Sequence, residues 1–183
     1  MLTETRVSET AHQDIFSNEL LVLLGEIEAR LSVSFGVDPL MLESWQATRY
    51  PIGGRFDYHL DSGYWDDHHA GDRVRTFLIY LATPVAGGGT HFRALDVLVE
   101  ARERRLVVWE DLFPDGSPNH SMIHAGLPLL AGDKITLVTW QRQRVSALRR
   151  HPVRRRFARN ERTGALPANR PPDLAAIWTC HRS

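Results

Sequence analysis

After Gly36 and Pro39 the sequence divides into short apolar or alternating segments, and this pattern constrains the fold more than any other feature. Glycine, proline and aspartate separate the segments, which is typical of strands joined by turns. The pattern predicts strands over residues 44–50, 55–61, 74–82, 90–93, 96–101, 105–110, 120–125 and 134–141. The helical patterns that alternate with strands in parallel sheets are missing between them. We therefore predict a mainly β fold, an antiparallel sandwich or barrel of about eight strands such as a jelly roll.

One amphipathic helix is predicted ahead of the strands. Residues 12–31 place apolar side chains at helical spacing, with Asp14 or Ser17 available as the N-cap. The apolar positions are Ile15, Phe16, Leu20, Leu23, Leu24, Ile27 and Leu31. We expect this N-terminal helix to brace the sheet.

Composition places the chain among folded globular proteins. The 183 residues, 43% hydrophobic and 24% charged, suit one domain over residues 1–183 with its core at about 44–141. The longest apolar runs, 20–24 and 127–131, are far shorter than the roughly 20 residues of a membrane span, so no membrane segment is predicted. We expect a cytoplasmic protein, since no leader pattern opens the sequence and its single cysteine, Cys180, cannot form an internal disulfide.

Charge is distributed unevenly, although the formal net charge is zero. Residues 1–141 carry 11 basic and 20 acidic side chains, whereas the Arg-rich C-terminal extension, 142–183, carries 11 and 2. Such an extension can neutralise phosphates, so a nucleic-acid-binding module is a candidate function of another class. Few aromatic residues accompany the arginines, and the acidic body offers them another partner, so nucleic acid is not the partner that we expect.

The segment RFDYHLD, residues 55–61, carries the first candidate site. Strand alternation places His59 and Asp61 on the same face. An imidazole and a carboxylate that face the same way, joined by a second histidine from a distant strand, form the ligand set that selects non-haem Fe(II) and leaves coordination positions open. From this spacing alone, a hydrogen-bonded pair on an edge strand is the alternative interpretation.

Further motifs surround this segment in a regular order. Tyr50, Gly53 and Phe56 precede His59 at intervals of three residues. Downstream come Arg73-x2-Thr76, Gly87-Gly88-x-Thr90-x-Phe92, His124-Ala-Gly-x-Pro128 and Gly132-x-Lys134. With these motifs, residues 44–141 resemble the prolyl 4-hydroxylase-like family of Fe(II)- and 2-oxoglutarate-dependent dioxygenases. Phe56 departs from the family pattern, in which tyrosine is common.

The resemblance implies a double-stranded β-helix with Fe(II) held by three catalytic ligands, His59, Asp61 and His124. It also implies 2-oxoglutarate as cosubstrate, with ascorbate as an optional further cofactor. The implied contacts of the far carboxylate of 2-oxoglutarate are Lys134, Tyr50 and Thr90. A dicarboxylate inside a barrel needs a cationic partner, because an unpaired buried charge is very costly. The chain's only lysine can supply that charge.

The carboxylate of Asp61 also bears on the type of reaction. Because a small residue does not stand at this position, the metal has no vacancy for chloride, which favours hydroxylation over halogenation. The implied reaction hydroxylates an unactivated C–H bond, consumes dioxygen, and yields succinate and CO2. A barrel that binds a metal or small ligand without turnover is a further alternative, which the complete set of implied ligands disfavours.

The substrate is predicted less directly than the reaction. We expect first a small molecule, such as an amino acid or a biosynthetic intermediate, because no separate peptide-binding domain is visible in the sequence. The alternative is a prolyl 4-hydroxylase that acts on a peptide or protein. Loops 62–72, 83–88 and 111–120 are expected to recognise the substrate.

The remaining histidines are weaker ligand candidates. His68 and His69 are adjacent in a polar loop, so a strand cannot present both to one site. His91 is predicted to point away from the cosubstrate. His120 precedes His124 by four residues, a spacing that suits zinc on a helix, but the residues that follow do not read as helical.

Overall fold

The computed structural model describes residues 5–65 and 67–145, in which one α-helix and eleven β-strands occur. The helix, α1, spans Asn18–Phe35. In chain order the strands are β1 (Glu9–His12), β2 (Gln46–Tyr50), β3 (Phe56–His59), β4 (Arg73–Tyr80), β5 (Ala86–Gly87), β6 (Thr90–Phe92), β7 (Val97–Val99), β8 (Leu106–Glu110), β9 (His124–Gly126), β10 (Leu129–Ala131) and β11 (Lys134–Arg142). Short 3-10 helices span Gln13–Ile15, Pro39–Met41, Arg93–Leu95 and His120–Met122. From residue 146 onward, the Arg-rich extension lies outside the described residues.

Two antiparallel sheets enclose an interior cavity. The larger sheet has the strand order β1-β2-β11-β4-β8, and the smaller has the order β3-β9-β6-β7. Strands β5 and β10 form a separate ribbon. The arrangement is the double-stranded β-helix that the sequence predicts, and each of the eight predicted strands has a counterpart in it. Strands β1, β5 and β10 are additional.

The larger sheet has two different faces, because side chains alternate along each strand. On β11, Leu137 belongs to the core beneath α1, whereas Thr136 and Val138 line the cavity. On β4, Phe77 belongs to the same core, and Leu78 lines the cavity. The buried residues of the outer core are Leu24, Leu31, Val37, Leu42, Trp45, Phe77, Val108 and Leu137. Helix α1 therefore braces the sheet from outside, and the inner face remains available for a site.

Helix α1 begins and ends later than the sequence predicts. Its N-cap is Ser17, whose hydroxyl accepts a hydrogen bond from the backbone of the first turn at 3.3 Å. It ends at Gly36, whose φ of +66° is a left-handed conformation that glycine adopts readily. The predicted start at residue 12 was wrong, because Glu9–His12 pairs with β2 as an edge strand. Asp14, the other candidate N-cap, lies in a 3-10 helix.

The N-terminal segment, residues 5–12, connects the edges of both sheets. The amide of Asp57 donates to the carbonyl of Thr5 at 2.8 Å, and the amide of Val7 donates to that of Arg55 at 2.9 Å. The segment therefore runs beside the start of β3 in the smaller sheet before β1 joins β2 in the larger one.

Within residues 5–65 and 67–145, no helix is both long enough and apolar enough to span a membrane.

Candidate active site

The two histidines and the aspartate of the predicted ligand set lie together in the wall of the cavity. His59 on β3 faces His124 on β9 across the sheet register. Asp61 Oδ1 lies 3.8 Å from His59 Nε2, and Asp61 Oδ2 lies 3.7 Å from His124 Nε2. All three ligand atoms lie within 4.8 Å of one another, and in the described part of the chain no other cluster of potential metal ligands is found.

Backbone carbonyls fix the orientation of both imidazoles. His59 Nδ1 lies 2.8 Å from the Asp57 carbonyl, and His124 Nδ1 lies 2.9 Å from the Met122 carbonyl. A carbonyl only accepts, so each Nδ1 carries a proton, and each ring directs its Nε2 toward the other candidate ligands. Burial, followed by the charge of His124, lowers the pKa of His59 to about 4, which keeps this ring neutral.

A hydrogen-bonded chain holds the carboxylate of Asp61. Thr76 Oγ1 lies 2.8 Å from Asp61 Oδ2 and 2.7 Å from Asp111 Oδ2, yet a hydroxyl can donate to only one of them. Burial, together with the charge of Asp61, raises the pKa of Asp111 well above its ordinary value. Asp111 therefore keeps its proton and donates to Thr76, which donates to Asp61. Burial also raises the pKa of Asp61, but neighbouring positive charges, that of His124 first, outweigh it and lower this pKa.

Arg73, one of the motif residues, forms a partly buried ion pair. It donates to both carboxylate oxygens of Glu43, at 2.7 and 2.9 Å. Its guanidinium lies over the rings of Trp140 and Trp65, 3.7 and 4.7 Å from their centroids. One of its nitrogens is 3.8 Å from Asp61 Oδ1, so this structural ion pair also contributes positive charge near the candidate ligands.

Aromatic rings flank both imidazoles. Phe56 stacks on His59 with 3.7 Å between ring centroids, and Trp109 contacts His124 edge-on at 4.7 Å. These contacts restrict the rotation of the histidine rings and exclude water from their sides.

An unpaired buried ammonium group lies beside the cavity. Lys134 is only 2% exposed, and its Nζ has no hydrogen-bond partner within the described residues. Lys134 pairs with Tyr50 in the sheet, and its Nζ lies 4.2 Å from the centroid of the Tyr50 ring. Burial lowers the pKa of Lys134 to about 8. An unpaired buried cation of this kind attracts an anionic ligand.

Gly126 adjoins this ammonium group, and Thr90 lies beside Gly126 in the sheet. A Cβ at Gly126 would lie 3.1 Å from Lys134 Nζ, so the missing side chain leaves room beside the cation. Thr90 pairs with Gly126 in the sheet, and its hydroxyl shares a 2.6 Å hydrogen bond with that of Tyr80. Burial raises the pKa of Tyr80 to about 12, so this phenol stays protonated as a donor. The free space and the unpaired charge fit the far carboxylate of 2-oxoglutarate, and the two imidazoles with the carboxylate fit Fe(II).

The six residues predicted for the site occupy two adjoining regions. The cavity has a volume of about 60 Å³, and its walls include Tyr50, His59, Asp61 and His124. Lys134 and Thr90 are buried beside it.

Several residues around the site were not predicted from the sequence. Thr76 belongs to the motif Arg73-x2-Thr76, but nothing in the residue spacing indicated its hydrogen bond to Asp61. In the sequence, nothing distinguished Tyr80 from other residues of its predicted strand or Asp111 from other residues of its predicted loop. Arg6 also lines the cavity, and a lone arginine in a polar N-terminal stretch gave no indication of this.

The other histidines within residues 5–65 and 67–145 are not part of the ligand cluster. His91 Nδ1 is 2.5 Å from the Tyr58 hydroxyl, and its Nε2 is 3.5 Å from Asp96. His68 and His69 are neighbours in the loop after β3, and His120 begins a 3-10 helix.

Comparison with protein families gives one match over more than half of the chain. The model of the 2OG-Fe(II) oxygenase superfamily matches residues 45–142. This range differs by one residue at each end from the range of the resemblance, 44–141.

Comparison with curated proteins gives prolyl 4-hydroxylase subunits. Subunit alpha-1 from Gallus gallus is 30% identical over 158 residues, covering 80% of this chain and 31% of that protein. Subunit alpha-3 from Homo sapiens is 32% identical over 143 residues, covering 75% and 26%. The chain thus spans less than a third of the length of these relatives.

Two solved structures show the same fold. The viral collagen prolyl hydroxylase of Paramecium Bursaria Chlorella virus-1, in its 2OG complex, superposes with a TM-score of 0.63 at 24% identity, covering 77% of this chain and 81% of that one. A prolyl-4-hydroxylase from Pseudomonas putida superposes with a TM-score of 0.53 at 21% identity, covering 78% and 76%.

Proposed function

The chain belongs to the 2OG-Fe(II) oxygenase superfamily, and from this membership we propose that it is a 2-oxoglutarate-dependent dioxygenase that hydroxylates prolyl residues of peptides or proteins. One observation carries the proposal. His59, Asp61 and His124 converge in the wall of a cavity, and the unpaired ammonium of Lys134 is buried beside it. The first group suits a metal and the second suits a carboxylate, so together they suit a chelating 2-oxo acid with a second carboxylate.

In this proposal His59, Asp61 and His124 are the metal ligands. Fe(II) held there supplies the activation of dioxygen, coupled to the oxidative decarboxylation of 2-oxoglutarate to succinate and CO2. The two histidines present Nε2 because backbone carbonyls accept from their Nδ1–H groups. Thr76 holds one oxygen of Asp61. These contacts fix the ligands before the metal binds, which reduces the cost of ordering them.

Lys134, Tyr50 and Thr90 bind the far carboxylate of the cosubstrate in this proposal. An ammonium buried without a partner gains a charge-assisted hydrogen bond when a carboxylate enters. Tyr50 covers the ammonium with its ring face, and the Thr90 hydroxyl is oriented by its bond to Tyr80. The site therefore favours a dicarboxylate over a 2-oxo acid with an apolar tail.

The relatives favour a peptidyl substrate over the small molecule expected first from the sequence. Both curated relatives are named as prolyl 4-hydroxylase subunits. Surface features near the ligand cluster also suit an extended chain. Residues of the loop after Asp61 line an open depression, and Trp65 in that loop donates to the Asp61 carbonyl at 3.1 Å. Tyr64 and Phe113, in the two long loops predicted to recognise the substrate, are 72% and 44% exposed.

For the cellular location we propose the cytoplasm. The support is the single cysteine of the sequence, because proteins of reducing compartments do not depend on disulfides. Cell fractionation with an antibody to the protein tests this proposal.

Mass spectrometry tests the substrate class. The protein is incubated with Fe(II), 2-oxoglutarate and dioxygen, together with proline-containing peptides or with free proline and other amino acids. We expect a gain of one oxygen atom on a prolyl residue of a peptide, with one succinate for each hydroxylation. Omission of 2-oxoglutarate and the His124→Ala variant are the controls. Oxygen gained only by a free amino acid would instead favour the small-molecule substrate.

Two further measurements test the ligand set and the competing class of function. Anaerobic addition of Fe(II) and 2-oxoglutarate should produce the weak visible charge-transfer absorption of the chelate, which His124→Ala should lose. Full absorption in that variant would contradict the ligand assignment. Failure to form succinate, combined with DNA affinity that falls steeply with salt, would favour the nucleic-acid-binding module.

A further inference from the structure

Arg6 reaches the cavity from the N-terminal segment. The residue pairs with Phe56 in an isolated antiparallel bridge, so both side chains lie on the same face of the smaller sheet. The Arg6 guanidinium carbon lies 4.9 Å from the centroid of the Phe56 ring. Both residues line the cavity that contains the candidate metal ligands. The N-terminal segment thus brings a positive charge to the wall of the site.

The partners of Arg6 in the described residues are neutral. Its Nε donates to Ser8 Oγ at 2.8 Å, and its Nη2 donates to Thr10 Oγ1 at 2.9 Å and to Thr48 Oγ1 at 3.0 Å. No ion pair joins Arg6 to a carboxylate among residues 5–65 and 67–145, whereas Arg73 and Arg75 each have one. Hydroxyl groups orient the guanidinium without neutralising it, so its charge acts on the cavity.

Tyr50 connects Arg6 to the buried ammonium group. Thr48 and Tyr50 lie two residues apart on β2 and share its cavity face. The ring of Tyr50 covers Lys134 Nζ, and Arg6, which donates to the neighbouring Thr48, lines the same cavity wall as Tyr50. Burial raises the pKa of Tyr50, and Arg6 opposes this effect. Two cations therefore flank one phenol, which is a proposed contact of the far carboxylate.

We propose that Arg6 is a positioning residue of the dicarboxylate site, which acts through the neighbouring Tyr50 and adds positive charge where Lys134 binds the far carboxylate of the cosubstrate. This inference rests on the proposed function. It makes the N-terminal segment part of the cosubstrate site. By thermodynamic linkage, docking of the segment strengthens cosubstrate binding, and the cosubstrate strengthens docking by the same factor.

A purely structural role is the alternative to be separated. In that case Arg6 only connects the N-terminal segment to Thr48, and its loss weakens the binding of every ligand to the cavity equally. The two roles differ in ligand selectivity, because only the positioning role depends on the far carboxylate. The compound 2-oxopentanoate has the chain length of 2-oxoglutarate and the same chelating end, but it lacks that carboxylate.

Calorimetry with the full chain measures this selectivity. The Kd values of 2-oxoglutarate and 2-oxopentanoate are determined with Mn(II), which avoids turnover, for the unaltered protein and the variants. We expect Arg6→Gln to reduce the preference for 2-oxoglutarate about 10-fold, as for the loss of one hydrogen bond to a charged group. Arg6→Lys, which keeps the charge, should restore part of the preference. Arg49→Gln is the matched control, because Arg49 lies on β2 with its side chain 66% exposed.

The outcomes separate this inference from the proposed function. An equal loss of affinity for both ligands in Arg6→Gln, or an unchanged preference, overturns the positioning role. Loss of 2-oxoglutarate binding in Lys134→Met with unchanged selectivity in Arg6→Gln overturns this inference alone. Failure of the unaltered protein to bind 2-oxoglutarate overturns the proposed function, and the inference with it.

Hydrogen exchange provides a second measurement. The amides of Val7 and Asp57 join the N-terminal segment to β3. We expect 2-oxoglutarate with Mn(II) to slow their exchange in the unaltered protein and in Arg49→Gln, but to slow it less in Arg6→Gln. Equal slowing in all three proteins contradicts the coupling.

Discussion

At the scale of single residues, the protonation of Asp111 decides how the carboxylate of Asp61 is held. Thr76 has one proton for two neighbouring carboxyl groups, so one of them must donate to it. Asp111 is the group whose pKa is raised, by burial first and then by the charge of Asp61. The direction of the hydrogen-bonded chain therefore runs from Asp111 through Thr76 to Asp61.

Asparagine and alanine at position 111 should have different effects. Asp111→Asn supplies an amide donor in place of the carboxyl proton, so we expect the free energy of unfolding to fall by less than about 1 kcal/mol. Asp111→Ala removes the donor and leaves a space, so we expect a loss of about 2 to 3 kcal/mol. Urea unfolding of the metal-free protein at neutral pH measures both values. A larger loss for asparagine than for alanine would show that Asp111 accepts from Thr76.

Lys134 gives the metal-free protein a distinct pH dependence. Burial lowers the pKa of its ammonium from 10.5 to about 8. Between these values the unfolded chain binds a proton that the folded chain releases, so the free energy of unfolding rises with pH from about 8 to about 10.5. Below pH 8 the folded protein bears the full cost of the buried charge, on the order of 3 kcal/mol.

Lys134→Met should therefore stabilise the metal-free protein while abolishing 2-oxoglutarate binding. We expect a gain of up to about 3 kcal/mol at pH 7, decreasing to nearly zero above pH 10.5. Urea unfolding in the presence of a chelator, at several pH values, measures this difference. Lower stability of the variant at pH 7 would indicate that the ammonium is already paired.

At the scale of secondary structure, the sequence predicts most elements where local patterns decide them. All eight strands predicted from short apolar or alternating segments have counterparts, because such segments report burial on one or both faces of a sheet. The strands that were missed depend on distant partners. Strand β1 is a polar edge segment that pairs only with β2, and β5 and β10 span two and three residues. Residues 120–125 were predicted as one strand, but a 3-10 helix precedes the strand there, which begins at His124.

As with the fold, one part of the site was predictable from the sequence and another part was not. Motif order was sufficient to single out His59, Asp61, His124 and Lys134 as candidates. The hydrogen-bonded chain through Thr76 was not predictable, because it depends on side chains that meet across different strands. Leu23 is a similar case: helical spacing predicted it in the core, but it is 53% exposed because the sheet covers a narrower face of α1.

Helix α1 should contribute stability without affecting the cavity. Leu24 is 1% exposed in the core between α1 and the larger sheet, on the face opposite the ligand cluster. We expect Leu24→Ala to lower the free energy of unfolding by about 2 to 5 kcal/mol while leaving the Kd of 2-oxoglutarate unchanged. Val33→Ala, on the same helix but 89% exposed, is the control and should change stability by less than about 0.5 kcal/mol. Weaker ligand binding by folded Leu24→Ala would show that the helix also shapes the site.

At the scale of the whole molecule, a second hydrophobic core joins the two sheets. It lies away from α1, between the cavity side of the larger sheet and the smaller sheet. Its buried residues are Tyr80, Phe92, Ala101, Val107, Trp109 and Met122. The candidate ligands lie mainly on the smaller sheet, and Lys134 lies on the larger one. A ligand that bridges them therefore adds a connection between the sheets.

Loading the site should stabilise the whole fold by mass action. With Mn(II) present, 2-oxoglutarate at about 100 times its Kd should raise the free energy of unfolding by roughly 2.7 kcal/mol. A chelator should remove most of this gain. Thermal unfolding of the unaltered protein and of His124→Ala measures the effect. An equal gain in stability for His124→Ala would show that 2-oxoglutarate and Mn(II) bind elsewhere.

The contact between Trp109 and His124 gives the protein an internal fluorescent reporter. The indole lies 4.7 Å between ring centroids from an imidazole that is a proposed ligand of the metal. A paramagnetic ion held there should quench the emission of this tryptophan more strongly than that of Trp45, which lies in the outer core. Titration with Mn(II) should therefore lower the tryptophan fluorescence of the unaltered protein, and the decrease should be much smaller in Trp109→Phe.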